Sequence, residues 1–194
     1  MRGSRFPFAL IMSVVVFAAM AVPALAQDAA PPTPRIDLYL GIGRTMTVGG
    51  GNASDHHSTG PVLKIGWNLS RRVGLVFGGS FAVGSGQGGT RVEYSVTAGP
   101  RFAFVNRSRL VPFVQVGAGV DRDQQLTAIW PVTFHARLAA QVAAAGGLDV
   151  LLSRGWAVRV LQVEGRRILT SGAANELVIS AGVVFRFGSV PQSK

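Results

Sequence analysis

From Arg35 to Gly188 the apolar residues recur at every second position, a period that fits strands and not helices. In Arg35–Val48, Ile36, Leu38, Leu40 and Ile42 alternate with Asp37, Tyr39, Gly41 and Gly43. Pro61–Ser70 sets Leu63, Ile65, Trp67 and Leu69 against Lys64, Gly66 and Asn68. Val73–Gly84 carries Val73, Leu75, Phe77, Phe81 and Val83, and Arg91–Asn106 sets Val92, Tyr94, Val96 and Phe102 against Glu93, Ser95, Thr97 and Arg101. Leu110–Asp121, Thr133–Leu152, Trp156–Leu169 and Glu176–Gly188 complete eight strands.

Alternation alone does not say which face meets which solvent. A soluble sandwich turns its charges to water and its apolar residues inward. In a membrane barrel the apolar set faces lipid, where an Arg or Lys at the midplane costs roughly 2–4 kcal/mol. Here none of the apolar-face residues is charged, while Asp37, Lys64, Glu93, Arg101, Arg137 and Arg186 fall on the other face together with many glycines. The composition agrees: 48% of the 194 residues are hydrophobic and only 14% charged, yet beyond the N-terminus no charge-free apolar run reaches the length of a membrane helix. There is no Cys, which excludes a disulfide scaffold, a thiolate metal site and a cysteine nucleophile.

The N-terminus reads as an address. Arg2 and Arg5 precede an apolar core, Phe8–Ala21, and Val22-Pro23-Ala24-Leu25-Ala26 supplies a break and a small-residue cleavage box. Residues 1–26 are therefore expected to be a signal peptide, 27–34 a disordered Pro-rich lead-in, 35–188 the barrel and 189–194 a short tail. The formal charge of +10 falls to +8 when Arg2 and Arg5 leave. The remaining arginines are spread over turns and strands, a distribution that suits anionic lipid better than nucleic acid.

Short basic turns occur at Ser70-Arg71-Arg72, Asn106–Arg109 and Ser153-Arg154-Gly155, and longer polar connections at Gly49–Gly60, Ser85–Thr90, Arg122–Val132 and Ser171–Asn175. Short periplasmic turns alternating with longer external loops place both termini in the periplasm. Trp67, Phe102, Phe104, Trp156, Phe185 and Phe187 lie near the short turns, and Phe81, Tyr94 and Phe134 near the long loops, as two interfacial girdles would require. Pro100 predicts a bulge or irregularity in the fourth strand. Ala136–Ala145 has helix propensity, but Gly146-Gly147 and the period-2 neighbours favour a strand. In the seventh strand Arg159, Gln162, Glu164 and Arg166 share one face only if a bulge intervenes.

An eight-stranded barrel is just wide enough for side chains to fill it. Asp37, Glu93 and Glu164 would oppose Lys64, Arg101, Arg137, Arg159 and Arg186 in the lumen, as a structural salt-bridge plug or as a narrow conduit with a cationic lining. Asp55-His56-His57-Ser58 is the candidate for catalysis, since a His beside a Ser is what base activation of a hydroxyl needs. It is expected at the tip of the Gly-rich loop, where preorganisation is poor, and the pair of His has no third metal ligand beyond Asp55. His135 has no nearby Ser in its own strand. No cofactor motif is present: Gly41-Ile42-Gly43 lacks the following helix of a phosphate loop.

Gly99-Pro100-Arg101-Phe102-Ala103-Phe104, Val111-Pro112-Phe113-Val114, Ala144-Ala145-Gly146-Gly147-Leu148-Asp149, Val158-Arg159-Val160-Leu161-Gln162 and Ser180–Gly188 together resemble the outer-membrane β-barrel domain family of small OmpA/OmpX-like proteins. In the family pattern an Asp-Tyr pair follows the strand-seven Arg and Gln, whereas Glu164-Gly165 stands here. Family members often end at an aromatic that resembles a recognition signal for the assembly machinery, and here Ser189–Lys194 follows Phe187-Gly188. Recognition would then read an internal Phe. Small outer-membrane barrels include lipid A deacylases, but their His/Ser/acid set lies on strand surfaces rather than in a loop. The resemblance implies an all-β, eight-stranded antiparallel up-and-down transmembrane barrel in the bacterial outer membrane. Its expected role is non-enzymatic, structural or surface-interacting through the external loops, with a small porin-like conduit or a lipid A-processing enzyme as alternatives. Its expected partners are outer-membrane lipids, lipopolysaccharide and the barrel-assembly machinery.

Overall fold

The computed structural model describes residues 33–48, 57–86, 89–105, 108–126, 134–169 and 174–190. The expected signal peptide and most of the lead-in lie outside the described residues, as do Asp55 and His56. Eight strands follow one another: β1 (Ile36–Thr47), β2 (His57–Asn68), β3 (Val73–Gly86), β4 (Gly89–Ala103), β5 (Leu110–Leu126), β6 (Phe134–Leu151), β7 (Trp156–Leu169) and β8 (Ala174–Phe187). Each pairs antiparallel with its sequence neighbour, and β1 pairs with β8 to close the barrel. Closure leaves no open sheet edge, so the backbone groups of every strand have ladder partners on both sides.

The end where β1 begins and β8 ends is called basal here, and the opposite end distal. The basal turns are closed by Leu69 N and Ser70 N donating to Val73 O, and by Leu152 N and Ser153 N donating to Trp156 O. The β1–β8 seam runs from Ile36↔Phe187 to Thr47↔Glu176 and pairs Gly41 directly with Gly182. The Tyr39 ring lies across Gly41, in space that a Cβ would occupy. Gly188 takes a left-handed φ of 65°, which turns the chain after β8 so that Val190 N donates to Thr33 O. Thr33 and Pro34, expected as the end of a disordered lead-in, are thus docked: Thr33 is buried, and Pro34 O accepts from Asn68 Nδ2.

Burial is inverted relative to a water-soluble protein. Leu40, Ile42, Leu63, Ile65, Phe77, Val96, Val116 and Leu138 are exposed on the outer wall, while Lys64, Arg101, Arg159, Glu164 and Arg166 are buried within. The Ala-rich segment is strand, as its neighbours predicted. In β7 the pairing register shifts between Arg159 and Gln162, with Val160 and Leu161 both exposed. That bulge turns Arg159, Gln162, Glu164 and Arg166 all inward.

Pro100 brings the local irregularity without a bulge: Ala98↔Ala118 and Arg101↔Gln115 keep one register across β4 and β5, and the rungs at Gly99 and Pro100 are missing. Proline removes a donor, and here the ladder simply skips it while the β3 side keeps Leu75↔Pro100. The distal strands also run further than the apolar pattern suggests. β2 begins at His57, β3 reaches Gly86, β4 starts at Gly89 and β5 continues to Leu126. Backbone pairing needs no apolar side chain, so the ladders run on past the last apolar residues of the alternation.

The lumen as candidate functional site

Inward positions are set by the pleat, so residues two apart on a strand stack along the barrel axis. Seven predicted lumen residues point inward: Asp37, Lys64, Glu93, Arg101, Arg159 and Glu164 are buried and Arg186 half-buried. Arg137 shares their parity on β6, paired across from Asp123, but is exposed and makes no ion pair among the described residues.

At the basal end Arg101 on β4 ties two other walls together. Its Nη1 donates to Asp37 Oδ2 at 3.2 Å and its Nη2 to Asp149 Oδ2 at 2.9 Å. Arg159 Nε donates to Asp149 Oδ1 at 2.7 Å, so one carboxylate serves two guanidiniums. Asn68 Nδ2 donates to Asp37 at 2.9 Å, and Arg186 Nε stands 3.8 Å from the other Asp37 oxygen. The two guanidiniums lie over Phe113 at 4.4 and 4.2 Å, and Arg159 also over Tyr39 at 4.4 Å. The rings thus cover cations that two carboxylates do not fully neutralise.

The chain of bonds continues upward. Arg159 Nη1 donates to Gln162 Oε1 at 2.8 Å, and Gln162 Nε2 donates to Glu164 Oε2 at 3.1 Å. Glu164 takes Lys64 Nζ on that same oxygen and Arg166 Nε on the other at 2.7 Å. Arg166 then crosses to the far wall, where Ser80 Oγ accepts from its Nη2 at 3.1 Å. Glu164, standing where the family pattern has an aspartate, is therefore the central anion of the barrel.

The distal lumen is a separate group. Arg91 Nε lies 3.0 Å from Glu93 and 2.9 Å from Asp123, and its Nη2 3.6 Å from Glu176 on β8. Ser58 Oγ donates to Glu93 Oε2 at 2.9 Å. Asp121 is buried beside this group, and among the described residues Glu176 Oε2 has no hydrogen-bond partner. Arg91, Asp121, Asp123, Asp149, Arg166 and Glu176 are all members that the proposed network lacked. Counted over the described lumen, seven carboxylates meet six cations, so the lining is not cationic as expected.

Little space remains. A cavity of about 30 Å³ opens at the basal mouth beside Asp37, Asn68, Arg101, Asp149 and Arg186. Another of about 10 Å³ lies against Thr97, Gly99, Gln115 and Gly117, where the inward residues are small. These are volumes for one or two waters. Among the described residues no three His, Asp or Glu side chains are arranged to hold a metal. His57 and Ser58, expected together at a loop tip, sit on β2 with His57 exposed outward and Ser58 buried inward against Glu93. Adjacent strand residues face opposite sides, so this pair makes no nucleophile and base.

On the outer wall, Trp67, Phe102, Phe104, Trp156 and Phe187 are exposed around the basal end, with Phe185 packed against Trp156 in a tilted pair at 4.5 Å. At the distal end Phe81 and Tyr94 form a second pair at 5.1 Å, and Phe134's side chain lies outside the described residues.

A closed barrel that is apolar outside and ion-paired within defines a transmembrane β-barrel. Its fold is that of the small eight-stranded outer-membrane barrels. It is similar to Neisserial surface protein A (NspA), with a TM-score of 0.66 and 11% identity over 78% of this chain and 97% of that one. It is similar too to Ail, the attachment invasion locus protein of Yersinia pestis, at 0.57 and 15% over 80% and 99%. The outer membrane protein OprG from Pseudomonas aeruginosa gives 0.56 and 10% over 82% and 99%. No family model and no curated protein matches the sequence.

Proposed function

We propose that this chain is exported on a signal peptide, residues 1–26, and resides in the bacterial outer membrane as an integral, non-enzymatic barrel with both termini in the periplasm. The observation that carries the reading is the inverted wall: exposed Leu, Ile, Val and Phe outside, with hydrogen-bonded carboxylates and guanidiniums inside. Water-exposed, such a wall would be one continuous apolar patch. The lumen is a structural plug, because cross-wall pairs such as Lys64–Glu164 and Arg101–Asp37 occupy its axis. Interaction with the surroundings falls to the distal hairpins, within the stretches Gly49–Gly60 and Arg122–Val132, as an adhesive, protective or structural surface role. The barrel-assembly machinery and the outer-membrane lipids are its partners, the former reading β8 through Phe187.

Heat modifiability tests the reading. Unboiled protein from the outer-membrane fraction is expected to migrate differently from boiled protein, and protease outside intact cells to cut only in the distal hairpins. A soluble periplasmic species with no mobility shift would overturn it. In planar bilayers the chain is expected to show no discrete conductance steps, and regular steps would overturn the plug.

A further inference from the structure

Three arginines stand on the lipid-facing wall near its distal edge: Arg44 on β1, Arg122 on β5 and Arg167 on β7, all exposed. They continue the apolar face of their strands. Arg44 follows Leu40 and Ile42 in parity and has Ile179 beside it, Arg122 lies between Tyr94 and Leu138, and Arg167 has Val142 at its side and Leu169 beyond it. Arg44 is eight positions along β1 from Ile36, and Arg122 eight along β5 from Val114, the partner of Phe102. At ~3.3 Å per residue and a tilt of ~40°, that puts them ~20 Å above the basal aromatics, at the far edge of an apolar band ~25 Å tall.

The basal arginines are placed otherwise. Arg71, Arg72 and Arg154 sit in the turns, beyond the last apolar residues. Only the distal ones are embedded in ladder positions among exposed apolar side chains. Every acidic side chain among the described residues points into the lumen, so none can neutralise them, and none of the three makes an ion pair. The wall also divides around its circumference. The β3–β4 sector meets the boundary with the Phe81–Tyr94 pair, and the sector from β5 through β7 to β1 meets it with an arginine on every second strand. Gln124, two positions along β5, offers its side-chain oxygen to Arg122 Nη2 at 2.9 Å and Nε at 3.0 Å but brings no charge. A guanidinium at that depth still calls for a planar anionic partner in the lipid itself, and phosphate is the match.

We propose that Arg44, Arg122 and Arg167 form a belt that binds the phosphate groups of the outer-leaflet glycolipid, lipopolysaccharide, through its phosphorylated lipid A head. The belt rests on the outer-membrane reading above, with the distal end outward. His57, exposed on β2 next to β1, extends the same boundary.

The test uses the full mature chain folded into phosphatidylcholine vesicles, with or without diphosphoryl lipid A, and reads the midpoint temperature at which the unboiled gel mobility is lost. Diphosphoryl lipid A is expected to raise that midpoint, and the dephosphorylated lipid to leave it unchanged. The variant R44Q/R122Q/R167Q is expected to lose most of the rise while keeping the wild-type midpoint in phosphatidylcholine alone. R71Q/R72Q/R154Q, which removes as many charges from the basal turns, is expected to keep the rise. An equal rise in the distal triple variant, equal losses in both variants, or the same rise from inorganic phosphate without lipid A would overturn the proposal. If no heat-modifiable species forms in any vesicle, the membrane-barrel reading itself fails.

Discussion

The two ends of the lumen handle surplus charge in opposite ways. At the basal end three guanidiniums meet two carboxylates, and the excess cation is sealed by Phe113 and Tyr39 stacked on Arg101 and Arg159. At the distal end four carboxylates surround Arg91, and no ring covers them among the described residues. An aromatic face attracts a cation and repels an anion. Surplus positive charge can therefore be covered by rings, whereas surplus negative charge has no such cover. The distal rim is wet at Asp123, which retains 33% of its side-chain exposure, and at Arg91 with 17%, while Glu93, Asp121 and Glu176 are buried like Asp149. The basal network should thus behave as a ring-covered lock and the distal one as a carboxylate-rich cluster wet only at its rim.

That contrast is sharpest at Asp149. Asp149→Ala leaves Arg101 and Arg159 without their shared anion in a buried site, and the expected loss is about 3–5 kcal/mol in denaturant unfolding from micelles. A loss under 1 kcal/mol would mean the rings alone hold those cations. Gly147→Ala strikes the same lock sterically, since a Cβ there would come within 2.5 Å of Phe113 Cζ and 2.7 Å of Leu161 O. It is expected to cost about 1–3 kcal/mol in the same assay, with added sensitivity to Phe113→Leu removed in the double variant. Arg91→Gln is expected to cost about 2 kcal/mol, because water reaches Asp123 but not the buried Glu93 and Glu176 that it leaves behind. Glu176→Gln should matter least. It removes one of four like charges whose Oε2 has no partner, so the change is expected within about 1 kcal/mol and on the stabilising side. A loss as large as that of Asp149→Ala would erase the distinction between the two ends.

Much of this architecture was readable from alternation. The eight strands, their antiparallel order and the bulge in β7 follow from which residues share a face, because the pleat leaves parity no freedom. The parity of Arg159 against Gln162, Glu164 and Arg166 is the clearest instance. What escaped lies where apolar residues stop while the ladder continues. Asp123 stands between Arg122 and Gln124, past the last apolar residue of the alternation, so no period marks it as a lumen residue. Glu176 was legible, sharing the parity of Ser180 and Arg186 on β8. Asp149 was within reach, since it shares the parity of Gln141 and Ala145 on β6. Arg137 shows the complementary limit: parity gives direction but not burial, and this side chain is exposed although its ladder partner is Asp123. Ser58 was assigned to a loop because the Gly-rich segment before it hides the start of β2. The distal arginines escaped as well, for Arg44 and Arg122 stand just past the last apolar residue that the pattern could register.

The β1–β8 seam also bears on how the molecule comes together in time. Seven of its ladders join neighbours in sequence and form by short-range closure, but the seam must bring residue 36 to residue 187. Its closure carries the largest loop entropy and therefore comes last. Until then β1 and β8 present free edges to any other strand. The direct Gly41–Gly182 pairing, with Tyr39 laid across it, and the Thr33–Val190 bond beyond the strand ends then act as a clasp at one line of the cylinder. The same line is where the folded barrel would first reopen, so the lifetime of the native state is written into its first and last strands rather than into any hairpin.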